Sequence, residues 1–387
     1  MNHLLLLLTA LFLTTRADSQ ATIVFSSGSE GYRTFRIPAI VEWRKGELLA
    51  FCEGRRTGSA DFGDIDIVMK RSTDKGRSWS ALQVIADVDS LQAGNPAPVV
   101  DRLDPAYPQG RLFLFYNTGN ADEAAVARGR GLRECHYITS TDGGHTWSEP
   151  VNITGQVHRP NRPERNPAYV FPEDWRTYAN TPGHALQFTE GPYRGRIYVA
   201  ANHSAGPPQA RFRHYASHGY FTDDHGNRFD LSETVPLPGS NEAMAAELPN
   251  GGLLLNARNQ AGDIKARILA FSPDGGMRWD SSGYDRSLPD PVCQGSLLNL
   301  RQPRNSNWIA FCNPADTARR DRLTLRMSPD AGRSWPVRIP VDQDPDPNSK
   351  RDYTAYSDLV ELDRRKIGVL YEKDDYRQIV FRAVRWQ

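Results

Sequence analysis

The sequence predicts an all-β fold, a six-bladed β-propeller of four-stranded antiparallel blades. Three observations predict it: a motif repeated along the chain, strand-like runs on either side of that motif, and a turn-rich composition without long helical periodicity. The motif is S/T-x-D-x-G-x-x-W/F. It occurs at Ser72–Trp79, Ser140–Trp147, Ser272–Trp279 and Ser328–Trp335, with a degenerate copy at Thr222–Phe229. Its chemistry is that of a stapled hairpin: the Asp accepts backbone N–H groups across a tight turn, the Gly supplies positive φ, and the ring packs beneath as an anchor. A calcium loop is the competing reading, but one carboxylate per motif falls short of the six to eight oxygens that ion takes.

Runs such as Ile65 to Met69 and Leu323 to Met327 precede these boxes, and Gln83 to Ile85 follows one, giving strand, stapled turn, strand. Box starts at 72, 140, 222, 272 and 328 are 68, 82, 50 and 56 residues apart. Once the leader described below is removed, roughly 61 residues remain for each of six units, more than a minimal blade of about 45 needs. The excess goes to long loops, where a site is built. Ala21 to Phe25 and Ile379 to Val384 both read as strands, so the two ends are expected to close the ring within one blade.

The chain has 387 residues, with 39% hydrophobic and 24% charged, enough apolar material for a core and too little charge bias for disorder. Lys plus Arg (47) nearly balance Asp plus Glu (46), so there is no chain-wide basic field of the kind that draws a protein to nucleic acid. Leu4 to Leu13 is too short to span a bilayer and is followed by the small-x-small pattern Ala17-Asp18-Ser19. Residues 1–19 are therefore read as a secretory leader and 20–387 as the folded domain, which is exported (secreted, periplasmic or lysosomal) with no stable membrane insertion. An uncleaved anchor is the alternative, because the leader has only His3 and the α-amino group where Lys or Arg is usual. The cysteines, Cys52, Cys135, Cys293 and Cys312, form no C-x-x-C pair. Cys293 and Cys312 flank an expected hairpin and are the pair best placed for a disulfide, with simple burial as the alternative. No His pair has metal-ligand spacing, so no metal or other cofactor is expected. Asn152-Ile-Thr154 and Asn202-His-Ser204 fit N-glycosylation acceptors.

The chemistry lies away from the boxes. Phe35-Arg36-Ile37-Pro38 places an arginine at the head of an apolar strand, where it needs an anion. Together with the repeated boxes, this motif resembles the exo-sialidases (neuraminidases) of the bacterial and animal type, glycoside hydrolase family 33. These are six-bladed propellers whose inner strands converge on the carboxylate of a terminal sialic acid. The resemblance covers nearly the whole chain after the leader. It implies that Arg36, Arg258 in Leu254-Leu-Asn-Ala-Arg258, and Arg326 in Leu325-Arg326-Met327-Ser328 meet on one carboxylate. Planar forks suit that task, since each binds an oxygen pair. Positions 222 and 68 residues apart meet only if a ring of blades brings their strands to one axis.

The resemblance also assigns the reaction's parts. Sialidases use tyrosine as the nucleophile, because the anomeric carbon carries its own carboxylate and would repel a second anion. The matching residue is Tyr356 in Ala355-Tyr356-Ser357-Asp358, with Tyr353 as a nearby competitor, and the matching base is Glu242 in Ser240-Asn-Glu242-Ala. The acid matches Asp61 in the Gly-rich loop from Gly54 to Gly63, with Asp64 and Asp66 as rivals, and its pKa must be raised for proton donation. Glu372 matches a glutamate that orients the first arginine. Arg55 and Asn95 fall where relatives contact ring hydroxyls. The loop from His158 to Tyr178 is either an aglycone site or a solvated insertion. The implied function is a retaining exo-α-sialidase acting on sialylated glycans. The alternatives are transfer to another sugar, release of an anhydro product, or a non-catalytic lectin.

Overall fold

The computed structural model describes residues 20–177, 180–301 and 307–387; the expected leader lies outside them. Strands dominate, and helices are confined to short pieces such as Glu123–Ala127 and Thr154–Val157. Neighbouring strands pair antiparallel almost throughout, many of them joined by short polar turns, and a single parallel pair interrupts the pattern. The first strands of the meanders, Thr34–Arg44, Gln92–Asp101, Ile197–Ala205, Ser240–Glu247, Ser296–Asn299 and Thr354–Asp363, pack against one another in a closed ring. The fold is an all-β propeller.

The expected six separate four-stranded blades are corrected by the hydrogen bonding. Among the described residues the strands form five sheets, of which three have four strands, one has five and one has eight. The eight-stranded sheet is continuous because a parallel pair, Ile65 with Gln92, ties the Ile65–Ser72 strand to Gln92–Asp101. The five-stranded sheet gains its extra strand because two short segments, Trp175–Arg176 and Leu186–Gln187, both pair with Ile197–Ala205. Box spacing carries neither fact, since it records turns and not which edges bond.

The chain ends meet as expected: Thr22–Ser26 pairs with Gln378–Arg385 in the sheet that also holds Lys366–Lys373 and Thr354–Asp363. Phe25 is fully buried there, packed on Phe35.

The repeated boxes do what their residues predict. In the first, Asp74 accepts the backbone N–H groups of Arg77 and Ser78 and the Ser78 hydroxyl, while the Ser72 hydroxyl accepts from Gly76. These bonds, above all the one from Ser78, hold the Asp74 carboxyl down at about 2. The ring then reaches across to the adjacent sheet, where Trp79 lies edge-on to Phe381, with centroids 5.6 Å apart. Gly76 has φ +84°, and a Cβ there would sit 2.1 Å from the Phe381 ring, so both backbone and space require glycine. Phe229 meets Phe115 of another sheet in the same manner, and Trp147 meets Phe51 across the eight-stranded sheet. The boxes thus staple distant strands together, within a sheet and between sheets.

All four cysteines are free and buried, so the expected Cys293–Cys312 alternative resolves to burial. Of the two glycosylation motifs, Asn152 is exposed and Asn202 is buried. Among the described residues, no helix is long and apolar enough to cross a membrane.

The insertion from His158 onward is pinned by a buried aromatic cluster. Trp175 stacks on His203 with centroids 3.8 Å apart, the Nδ1 atoms of His203 and His218 are 3.1 Å apart, and His158 packs against the same indole. Burial pushes His158 and His218 down to about 3 and His203 well below its usual value, where the neighbouring histidines add to the effect. The facing charged group is Asp174, whose attraction for a His158 proton is overcome by burial. All three rings are therefore neutral when folded, whereas an unfolded chain takes up a proton at each near pH 6.5. The unfolded state binds more protons below that value, so this contribution to stability is present above about pH 6.5 and is lost as pH falls toward 3. Tm measured across pH 7 to 4 should drop steeply, and His218→Gln should make the drop shallower. An equal slope in the variant would remove the cluster from the acid response.

Candidate functional site

Several strands of the central ring are irregular at the same end. Pairing slips between Arg36 and Ala39, between Gly94 and Ala97, between Ser240 and Ala243, and between Thr354 and Ser357. A bulge re-aims a side chain and frees its backbone from the ladder. Each of these contains a residue singled out from the sequence: Arg36, Asn95, Glu242 and Tyr356. Ile37 and Asn95 have φ +61° and +53°, and a β-branched residue in that region is strained, which is characteristic of sites.

The bulges open onto one cavity of about 570 Å³. Arg36, Arg55, Asp61, Asn95, Glu242, Arg258 and Tyr356 all line it. Glu372 lies behind, fully buried, and joins three groups: its Oε1 accepts from Arg36 Nε at 2.6 Å and from the Ile37 N–H at 2.9 Å, and its Oε2 accepts from the Tyr356 N–H at 3.1 Å. Burial works against the Arg36 charge, but Glu372 outweighs it and holds the guanidinium charged.

The Tyr356 hydroxyl donates to Glu242 Oε1 at 2.6 Å and accepts from Arg258 Nη1 at 2.9 Å, while the same Nη1 donates to Glu242 Oε2 at 2.6 Å. Burial and the Glu242 carboxylate push the phenol well above its usual range, against the pull of Arg258 and Arg320. The resting group is a neutral phenol with a base in contact. Tyr353 does not line the cavity, so of the two tyrosines it is Tyr356 that meets Glu242.

Asp61 reaches the cavity on its loop with its side chain 66% exposed, ion-paired to Arg55 Nη1 at 2.8 Å. Burial raises its pKa, but Arg55 and then Arg36 outweigh that and hold it below the usual value. This is opposite to the raised value that proton donation requires, so in the unliganded protein Asp61 is a carboxylate. Its rivals are elsewhere. Asp64 pairs with Arg56, and Asp66 is buried, accepting from the Tyr32 hydroxyl and Arg56. Glu53 organises the hydroxyl-contact candidates, holding Arg55 through Oε2 and the Asn95 N–H through Oε1.

Arg326 is not brought to this site. It sits within the Leu323–Ser328 strand opposite Phe311 and Arg338, donating to Asn313 Oδ1 at 2.9 Å. Burial, with the Arg338 charge adding to it and only weak opposition from Cys312 and Asp285, pushes its pKa down to about 10. Arg320, in the loop before that strand, lines the cavity with Arg36 and Arg258 and takes the place expected for Arg326. The motif match fell on the arginine nearest the box. The signal that distinguishes the two is position, because the other site residues lie at bulges or in loops at one end of the sheets, and Arg320 shares that end. Glu123 and Tyr215 also line the cavity and were not singled out from the sequence; Glu123 accepts the Tyr215 hydroxyl, and burial pushes its carboxyl up. Among the described residues, the loop from His158 contributes none to the lining, which sets aside the aglycone reading of that part of the loop for this cavity.

Among the described residues, Asp101, Asp104 and His225 bring ligand-type atoms together. Those atoms are already engaged: Asp101 pairs with His225 and accepts from Gln187, and Asp104 pairs with Arg111, whose positive charge opposes a cation.

The chain matches the BNR repeat-like domain over residues 46–369. It is 32% identical over 364 residues to a sialidase of Micromonospora viridifaciens, covering 89% of this chain and 51% of that protein. It is 29% identical to an exo-alpha-sialidase of Aspergillus fumigatus, covering 92% of this chain and 84% of that one. The chain thus spans about half the length of the first relative and most of the second. Among solved structures it resembles the Hadza microbial sialidase Hz136, with TM-score 0.76 and 26% identity over 94% of this chain and 68% of that one. The leech intramolecular trans-sialidase shares the fold, with TM-score 0.73 at 17% identity over 95% of this chain and 70% of that one.

Arg320→Met should raise KM for an α-sialoside by about 30-fold or more, the scale of losing a charge-assisted pair, while Arg326→Met should leave KM within about twofold. Steady-state kinetics of the two variants check this, and the reverse ranking would return the third arginine to Arg326.

Proposed function

The chain belongs to the sialidase family, and on that premise we propose that it is a retaining exo-α-sialidase that releases terminal α-linked sialic acid from glycans. The observation that carries the proposal is the contact of the Tyr356 hydroxyl with Glu242 at 2.6 Å inside a cavity that also holds Arg36, Arg258 and Arg320. Three guanidiniums in one place suit a carboxylate ligand, and the sugar's carboxylate sits on the carbon to be attacked. A neutral phenol approaches that carbon without the repulsion that a second carboxylate would meet.

The reaction follows from these contacts. Tyr356 Oη attacks the anomeric carbon as Glu242 takes the phenolic proton, which is needed because the phenol's own pKa is raised. The glycosidic C–O bond breaks, and Asp61 gives its proton to the leaving oxygen. Water then attacks the tyrosyl-linked sugar, returning a proton to Asp61, and Tyr356 leaves with the proton held by Glu242. Two displacements retain the anomeric configuration. Asp61 changes role with its surroundings: the substrate carboxylate neutralises Arg36, the ligand covers the loop, and both changes raise the Asp61 pKa from its depressed free-enzyme value.

Incubation with a chromogenic α-sialoside, followed by proton NMR, should show α-sialic acid as the first product, mutarotating afterwards. Initial release of the β-anomer would contradict the double displacement. Tyr356→Phe should lower kcat by about three or more orders of magnitude, as loss of a covalent nucleophile does, with Tm nearly unchanged. Full rate in that variant would reassign the nucleophile.

A further inference from the structure

The turn that joins Lys366–Lys373 to Gln378–Arg385 places three consecutive non-glycine residues in the left-handed region: Asp374 at φ +56°, Asp375 at +50° and Tyr376 at +64°. Each such residue is strained, and a run persists only where its surroundings fix it. They do so here. Asp374 N–H donates to the Tyr353 carbonyl, Asp375 N–H to the Asp352 carbonyl, and the Ser27 hydroxyl to the Tyr376 carbonyl at 2.8 Å. The outcome of this strained backbone is the position of one side chain.

The Tyr376 ring lies with its centroid 4.0 Å from the Arg36 guanidinium carbon, and its hydroxyl is 3.1 Å from Arg320 Nη1 and 3.0 Å from Asp352 Oδ2. Burial pushes the phenol's pKa up, so it keeps its proton. With that proton donated to Asp352, the oxygen's lone pairs accept from Arg320. One side chain therefore touches two guanidiniums in two ways, with its negative ring face on Arg36 and its oxygen on Arg320. Two like charges facing the same cavity repel, and neither is fixed by backbone alone. Other partners of Arg320 are weaker: Nη2 reaches the Val292 carbonyl at 3.3 Å, and Nε is 4.0 Å from Asp352.

We propose that Tyr376 is a positioning residue that sets the spacing of Arg36 and Arg320 for a ligand carboxylate, with Asp352 orienting its hydroxyl. This rests on the sialidase reading above. Tyr376 does not enter the cavity and takes no proton in the reaction, so its effect is on binding the carboxylate rather than on the chemical step.

The test is steady-state kinetics on an α-sialoside, with calorimetric binding of a sulfur-linked α-sialoside that resists cleavage, using the full chain. Tyr376→Phe keeps the ring on Arg36 and removes only the oxygen. It should raise KM and Kd by about tenfold, the scale of one charge-assisted hydrogen bond, and change kcat by less than about threefold. Asp352→Asn, which keeps Tyr376 but weakens its orientation, should shift KM in the same direction by less. In an Arg320→Ala background, Tyr376→Phe should have no added effect, because the group it acts through is gone. An unchanged KM and Kd in Tyr376→Phe, or an equal effect in both backgrounds, would overturn the proposal while leaving the sialidase reading intact. A wild-type protein that neither cleaves nor binds the α-sialoside would overturn that reading, and this inference with it.

Discussion

Gathering like charges in one cavity is the constraint on which the rest of this structure depends. Arg36, Arg258 and Arg320 face the same space, and each is fixed by something behind it. Glu372 holds Arg36, Glu242 holds Arg258, and the Tyr376 hydroxyl, itself bonded to Asp352, holds Arg320. None of these supports is adjacent in sequence to the arginine it serves. The closed ring of sheets is what makes the arrangement possible, because it brings one end of several strands to a common axis, and the stapled boxes keep the sheets in register around it.

The supports also partition the chemistry. Glu372 spends both oxygens on Arg36 and two backbone N–H groups, so it is occupied as an anchor, whereas Glu242 touches a hydroxyl. That difference separates a structural carboxylate from one able to accept a proton. Glu53 plays the anchoring part on the other wall, joining Arg55 to the Asn95 backbone, and leaves Arg55 to pair with the acid candidate Asp61. The site is therefore electrostatically braced before any ligand arrives, which is the condition for stabilising charge without reorganisation.

Much of this was legible in the residues, and the gaps have physical causes. The boxes predicted stapled turns and all-β architecture because Asp, Gly and an aromatic at fixed offsets leave few alternatives locally. They did not predict how many separate sheets result, since the bond between Ile65 and Gln92 depends on a connection folding back, and the insertion lends a short strand at Trp175. Arg36, Glu242, Arg258 and Tyr356 were singled out by distinctive local motifs, and the fold brings all four to one cavity. Arg326 was chosen over Arg320 because proximity to a box is a poor guide to height along a strand, and a buried arginine on Asn313 looks no different in sequence. Tyr376 left no signal at all: its role follows from a left-handed turn and from Arg36, 340 positions away in the chain. The raised pKa expected for Asp61 is also not found, because Arg55 and then Arg36 outweigh the effect of its burial.

The claim at the centre is that the three guanidiniums grip a carboxylate, and esterifying that group isolates it. Calorimetry should compare a sulfur-linked α-sialoside with its carboxyl methyl ester, which keeps the ring, the hydroxyls and the N-acyl group but carries no charge. Binding of the acid should be about 100-fold tighter or more, the scale of losing two or three charge-assisted pairs. Equal binding of acid and ester would contradict it.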